Sequence, residues 1–374
     1  MVGGGPGAFI GAVHRAAAAL DSEYELVAGA FASTEERSRE QGDVLGLAAD
    51  RVYASFEEMA SAEASRPSED RIEVVSIVTP NHLHFPVAKT FLESGFHVIC
   101  DKPLTTNLAD AKSLAGLVES TRLVLALTHN YTGYPLVKEA RELVRVGRLG
   151  KIRKVVAEYP QGWLHTSLES TGQKQAEWRQ DPERAGPSSA LGDIGSHVDN
   201  LVRYVTGLQV EEMCADLSTL VPGRILEDDA NLLIRFSDGA RGVFHASQVS
   251  VGEENGLRIR IYGEEAGIDW RQEQPNELSV LYPDRPRERL TRGSPYLSEA
   301  SRYNTRLPPG HPEGFIEAFA NLYRNAGRTI GAVTLGVAPE PFELDFPRVH
   351  DGVQGVRFIE GALRSAREGG WVAL

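Results

Sequence analysis

Cysteine is nearly absent from this chain. Cys100 and Cys214 are the only two in 374 residues, which argues against a disulfide framework or a Cys-based zinc site and agrees with a reducing cytoplasm. A cationic excess is missing too. Lys and Arg total 39 against 52 Asp and Glu, for a formal net charge of -13. That balance argues against nucleic acid as a partner, because phosphate backbones select basic faces. A small anionic ligand needs only local donors and stays compatible. No apolar run approaches the roughly 20 residues that cross a bilayer, and no signal-peptide pattern opens the chain. The expectation is a cytoplasmic protein with no membrane partner.

What is present has the proportions of a globular protein, with 41% hydrophobic and 24% charged residues. The length suits two domains with well-buried cores. In the first 130 or so residues, short apolar runs alternate with helical patterns. Strands are expected at "YELVAGAF" (24–31), "EVVSIVTP" (73–80), "HVIC" (97–100) and "RLVLALTHN" (122–130). "FPVAKTFLESG" between two of them reads as a helix that stops at Gly95. Repeated β-α-β order predicts a parallel sheet. A helix in "KEARELVRVGRLGKI" (138–152), ending near Gly147 or Gly150, follows, and then the pattern changes. From about 151 to 285 segments such as "ANLLIRFSDGARGVFHAS" alternate in polarity between tight turns, which predicts an antiparallel sheet. A helical insertion interrupts it around 174–206, and amphipathic helices are expected over 313–326 and 349–368. The pattern suggests a 1–130 α/β domain of nucleotide-binding type joined to a 131–374 α+β domain.

Four stretches carry candidate chemistry. "GGGPGAFIGAVHRAAAAL" has Gly3-x-Gly5 ahead of an Ala-rich helix, where backbone N–H groups can approach a pyrophosphate. Ala8 takes the third, small position of that fingerprint. Only Met1 and Val2 precede the glycines, so the native start is expected upstream, with the first strand truncated. "VTPNHLHF" puts Thr79, Pro80 and Asn81 at the carboxyl end of a strand, where open α/β sheets bind ligands. His82 and His84 are not spaced as metal ligands, and no metal is expected. In "CDKPL" Pro103 enforces an extended or turning chain and holds Lys102 at a strand end, where it is either a solvated lysine or a donor to a substrate hydroxyl. In "LGDIGSHVDNLVRYVTG" Asp193 and His197 are four apart, on one face of a helix. They are either an N-cap and a structural histidine or a carboxylate–imidazole pair for acid–base work.

Together and in this order, these four stretches resemble the glucose-fructose oxidoreductase/inositol dehydrogenase/MocA family, with "DKP" for its Glu-Lys-Pro and "GDIGSH" for its Asp-x-Gly-x-His. The resemblance implies a Rossmann domain followed by a domain with a large, mostly antiparallel sheet. It implies NAD or NADP as cofactor and a sugar or polyol substrate oxidised at a secondary alcohol. Lys102, Asp193 and His197 are then the catalytic residues, meeting beside the nicotinamide in a cleft between the domains. The cofactor set is Gly3, Gly5, Pro6, Gly7, Phe9, Ile10, Ser33, Thr34, Arg37, Thr79, Pro80, Asn81, His84, Asp101, Lys102 and Asn130. Trp163, Trp178, Arg179, Asn200 and His311 form the substrate set. "FASTEERSRE" has no carboxylate where one would read the adenosine 2′-hydroxyl, and Arg37 is nearby, which leans slightly to NADP over NAD. Asp101 for Glu and Asn200 for Asp depart from the family's usual pattern. An open sheet face implies a homodimer or homotetramer. Glycoside cleavage through transient oxidation, or a non-catalytic sugar sensor on the same fold, are the alternatives.

Overall fold

The computed structural model describes residues 1–374. By its internal packing the chain divides into two compact units, Met1–Asn130 with Phe315–Val353, and Tyr131–Gly314 with Gln354–Leu374. Residues 315–353 therefore fold with the first unit, although the sequence places them late in the 131–374 region.

The first unit is built on a parallel sheet of four strands in the order β1-β2-β3-β4: β1 (Val2–Gly3), β2 (Val74–Val78), β3 (His97–Cys100) and β4 (Leu125–Leu127). Every residue of β3 and β4 is buried, as expected for a parallel sheet covered on both faces. Helices Phe9–Leu20, Glu35–Val44, Phe56–Ala64, His84–Glu93 and Leu108–Thr121 alternate with this sheet. Ser55 and Asn107 cap two of them by accepting from the backbone N–H of Glu58 and Asp110. The expected strand over 24–31 does not form. Its backbone pairs only at Gly29 and Ala30, through single bridges Gly29↔Val52 and Val2↔Ala30. A strand needs a ladder, and β1 offers only two residues to pair with.

The helix Phe315–Thr334 lies on the Phe9–Leu20 helix, burying Phe319, Leu322, Tyr323 and Ala326 with Val13 and Ala17. Beneath them His14 Nδ1 lies 2.7 Å from the Tyr323 hydroxyl, and the Ser76 hydroxyl lies 2.8 Å from the same oxygen. Burial pushes the His14 pKa down to about 4, against a smaller upward pull from Asp101.

The second unit carries a nine-stranded sheet in the order β12-β11-β10-β9-β5-β8-β7-β6-β13. Its strands are β5 (Ile152–Pro160), β6 (Val210–Ser218), β7 (Asp229–Phe236), β8 (Arg241–Ser247), β9 (Arg258–Gly263), β10 (Gly267–Arg271), β11 (Glu277–Leu281), β12 (Glu288–Thr291) and β13 (Val372–Ala373). All neighbours are antiparallel except β5 and β8. Burial alternates along the strands: Val155, Ala157 and Tyr159 face inward, while Lys154, Val156 and Glu158 face outward. Phe244 packs between Phe236 and Phe358 on the inner side, and the Pro135–Arg145 and Ser196–Thr206 helices belong to this unit. The outer side carries ion pairs such as Arg260–Glu158 and Arg258–Asp269. No helix of the chain is long and apolar enough to cross a membrane.

Candidate active site

The candidate residues fall in both units. In the first, the glycine turn follows β1 directly. Gly3 and Gly4 have φ of +85° and +74°, in the left-handed region that favours glycine. A Cβ on Gly5 would stand 2.7 Å from the Phe31 carbonyl oxygen, so the main chain itself fills that space. Ala8 stands directly ahead of the helix as its N-cap, and Gly11, one helical turn on, faces back onto the loop: its Cβ would lie 2.5 Å from the Gly4 Cα. The Phe9–Leu20 helix receives no side-chain cap and has no acidic residue in its first turn, leaving its N-terminal end electrostatically suited to an anion. Phe9 is exposed at that end, while Ile10 packs against both neighbouring hydrophobic clusters.

Ser33, Thr34 and Arg37 are exposed, at and just ahead of the start of the Glu35–Val44 helix. Glu35 is engaged by Arg39 at 2.7 Å, whereas Arg37 makes no ion pair. Ser38 is buried and structural: it accepts from the Phe31 N–H and donates to the Tyr53 carbonyl.

The ends of β2 and β3 lie side by side in the parallel sheet. The Asp101 carboxylate accepts from the Lys102 N–H and the Thr128 hydroxyl, both at 2.9 Å, which fixes the turn carrying Lys102. Lys102 is half-buried. His84, assigned to the cofactor set, has both ring nitrogens beside main-chain carbonyls, of Pro103 and Thr79. Neither nitrogen is left for a ligand while those contacts stand. Two buried polar atoms on assigned cofactor residues, Thr79 Oγ1 and Asn130 Nδ2, have no hydrogen-bond partner. With the Gly5 cradle and the uncapped helix, these orphaned atoms fit a bound dinucleotide.

In the second unit, Leu191–Gly195 forms a π-turn that runs into the Ser196–Thr206 helix. Asp193 sits in that turn and not on a regular helical face, a local widening often found at functional sites. The turn is anchored by buried Glu227, whose Oε1 accepts from the Ser188 hydroxyl and the backbone N–H groups of Ser189 and Leu191. Burial raises the Glu227 pKa above the ordinary carboxylate value. Asp193 Oδ2 accepts from Arg179 Nε at 2.8 Å and from Gln248 Nε2 at 2.9 Å. The Arg179 guanidinium lies over the ring of Trp178 at 4.3 Å and that of Trp163 at 5.6 Å. Four residues of the reading thus converge: Trp163, Trp178, Arg179 and Asp193.

His197 is buried one turn further on, its ring 4.7 Å from that of Tyr131 in an edge-to-face arrangement. Tyr131 and Tyr159 share a short hydroxyl contact. Tyr159 then donates to Asn255 Oδ1 at 2.6 Å, which also accepts from Gln161. Gln161 in turn accepts from the Trp163 indole N–H, so Trp163 presents its ring face rather than its donor. Asn200 is buried and its Oδ1 has no partner. His311 joins none of these groups. Its side chain is exposed on a loop whose carbonyls are held by buried Arg292. The reading missed Tyr131, Tyr159, Gln248 and Asn255. Only the pairing of β5 with β8 and β9 brings three of them beside the π-turn, and no local pattern marks them.

Residues 1–131 match the family described as oxidoreductases with an NAD-binding Rossmann fold, and residues 137–269 match the C-terminal domain of the same family. The chain is 36% identical to the uncharacterized oxidoreductase YfiI of Bacillus subtilis, over 100% of this chain and 95% of that one. It is 29% identical to a levoglucosan dehydrogenase of Pseudarthrobacter phenanthrenivorans, over 83% and 82% of the two. An inositol dehydrogenase homolog from Azotobacter vinelandii, solved in complex with NAD+, superposes with a TM-score of 0.93 at 36% identity, covering 100% of this chain and 96% of that one. The protein belongs to the glucose-fructose oxidoreductase/inositol dehydrogenase/MocA family of oxidoreductases.

Proposed function

We propose that the chain catalyses the reversible oxidation of a secondary alcohol on a sugar or polyol ring. The nicotinamide cofactor supplies the hydride acceptor. His197 takes the hydroxyl proton, and Lys102 donates a hydrogen bond to the same oxygen as charge develops on it. Asp193, held by Arg179 and Gln248, presents its remaining acceptor capacity to a neighbouring ring hydroxyl or to His197. The flat faces of Trp163 and Trp178 suit the C–H face of a ring. The single observation that carries this reading is the cluster around Asp193, where a carboxylate, a guanidinium and two indoles meet beside the π-turn.

The same reading extends to the cofactor and the assembly. NAD or NADP serves as cofactor, and exposed Ser33, Thr34 and Arg37 lean the site slightly towards the 2′-phosphate of NADP. The outer face of the nine-stranded sheet forms a homodimer or homotetramer interface.

Titration of the full chain with NADH and NADPH, followed by tryptophan fluorescence, tests the cofactor, with NADPH expected to bind at least as tightly. A panel including myo-inositol and levoglucosan, followed by cofactor reduction, tests the reaction. Lys102→Ala and His197→Ala are each expected to lower turnover by about a hundredfold or more while still binding NADH. Sugar released from a glycoside without net cofactor reduction would replace dehydrogenation by cleavage. Unchanged turnover in both variants would overturn the assignment of the two residues.

A further inference from the structure

His84 opens the helix that follows β2, and its ring is completely shielded by the surrounding chain. Nδ1 lies 2.7 Å from the Pro103 carbonyl oxygen and Nε2 lies 3.0 Å from the Thr79 carbonyl oxygen. Both partners can only accept. One ring therefore lies between the residue directly after β2 and the residue directly after Lys102. We infer that His84 is a positioning residue for Lys102, cross-linking the ends of β2 and β3 so that the lysine's turn cannot move relative to the Thr79–Asn81 segment. The role given to Lys102 rests on the function proposed above; the cross-link does not.

The device is independent of the other restraint on that turn. Asp101 fixes the Lys102 N–H from the side of β4, through Thr128. His84 fixes the carbonyl of Pro103 from the side of β2. Without His84 the turn keeps its Asp101 anchors, the carboxylate to Thr128 and the N–H to the Ile77 carbonyl, and loses the hold on the Pro103 carbonyl beyond Lys102. A neutral imidazole has one N–H and satisfies one of the two carbonyls, whereas the imidazolium satisfies both. Burial, helped by Lys102, lowers the His84 pKa and favours the neutral ring, while the two carbonyls and Asp101 pull the other way.

Two variants separate bonding from filling: His84→Phe keeps a ring but no donor, and His84→Gln keeps donors but no ring. Each is first shown to fold by thermal melting and to bind NADH. Trace acetylation of the full chain with acetic anhydride then reads the Lys102 environment by mass spectrometry, with exposed Lys112 and Lys151 as internal references. In His84→Phe the labelling of Lys102 is expected to move to that of the references, and in His84→Gln to return towards wild type. Turnover on any alcohol that the wild type oxidises should fall on the order of tenfold in His84→Phe with cofactor affinity retained. A folded His84→Phe chain with wild-type Lys102 labelling would overturn the inference. If labelling shifts as expected while Lys102→Ala turns over normally, the cross-link stands and the catalytic reading of Lys102 falls.

Discussion

Two residues show how closely the first unit's turn and the second unit's π-turn are built. At Gly11 the space for a Cβ is taken by the Gly4 main chain, which cannot swing aside as the tip of a side chain can. Gly11→Ala should cost about 1–3 kcal/mol and weaken NADH binding more than it lowers the melting temperature of the rest of the chain. Fluorescence titration beside a thermal melt measures both. Arg179 is the corresponding case in the second unit, with its ion pair to Asp193 largely shielded. Arg179→Met leaves the carboxylate with Gln248 as its remaining named partner and removes the cation between Trp163 and Trp178. Allowing for partial solvent screening, denaturant unfolding should show a loss of about 1–3 kcal/mol. Activity on the sugar panel should fall with it. The sequence named Arg179 and Asp193 as candidates. That they bind each other was not legible, since their approach depends on the π-turn.

At the level of elements, the first unit is held by a late helix. Phe315–Thr334 presses Tyr323 onto His14 and Ser76, joining three separate elements at one buried hydroxyl. The native His14 pKa of about 4 lies below the ordinary 6.5, so the unfolded chain binds a proton that the folded chain refuses. Stability from this site is full above about pH 6.5, falls as pH drops towards 4, and levels off below that. The shift corresponds to about 3 kcal/mol. His97, also pushed down to about 4 by burial and accepting from the Val124 N–H, adds in the same direction. His14→Gln should flatten the pH dependence of urea unfolding between pH 4 and 6.5. A wild-type slope in that variant would place the acid sensitivity elsewhere. The helix itself was visible in its amphipathic spacing, though longer than the 313–326 expected. Its partner was not, because spacing states which face is buried and not against what.

For the whole molecule, the outer sheet face is the interface proposed above. Register aligns Cys214, Leu233, Val243, Val156 and Arg260 in one row across five strands. Leu233 is 51% exposed in the single chain, and the row ends on charge. Leu233→Asp is expected to reduce the mass of the assembly seen by light scattering while leaving the fold intact, because the site lies on the opposite side from the core aromatics Phe236 and Phe244. An unchanged mass would remove this face from the interface.

Sequence alone determined the alternation of strands and helices in residues 1–130, the glycine turn, the switch to an alternating sheet, and the ordered motifs around Lys102 and His197. Those features are local: a period of 2 or 3.6, or a glycine where a turn demands one, is written within a few neighbouring residues. Tertiary structure decided the rest. It reduced the 24–31 strand to single bridges for want of a ladder. It also returned residues 315–353 to the first unit and assembled Tyr131, Tyr159, Asn255 and Gln248 around the π-turn. Those outcomes depend on contacts between segments far apart in the chain, and the period within one segment states which face is buried but not which distant segment covers it.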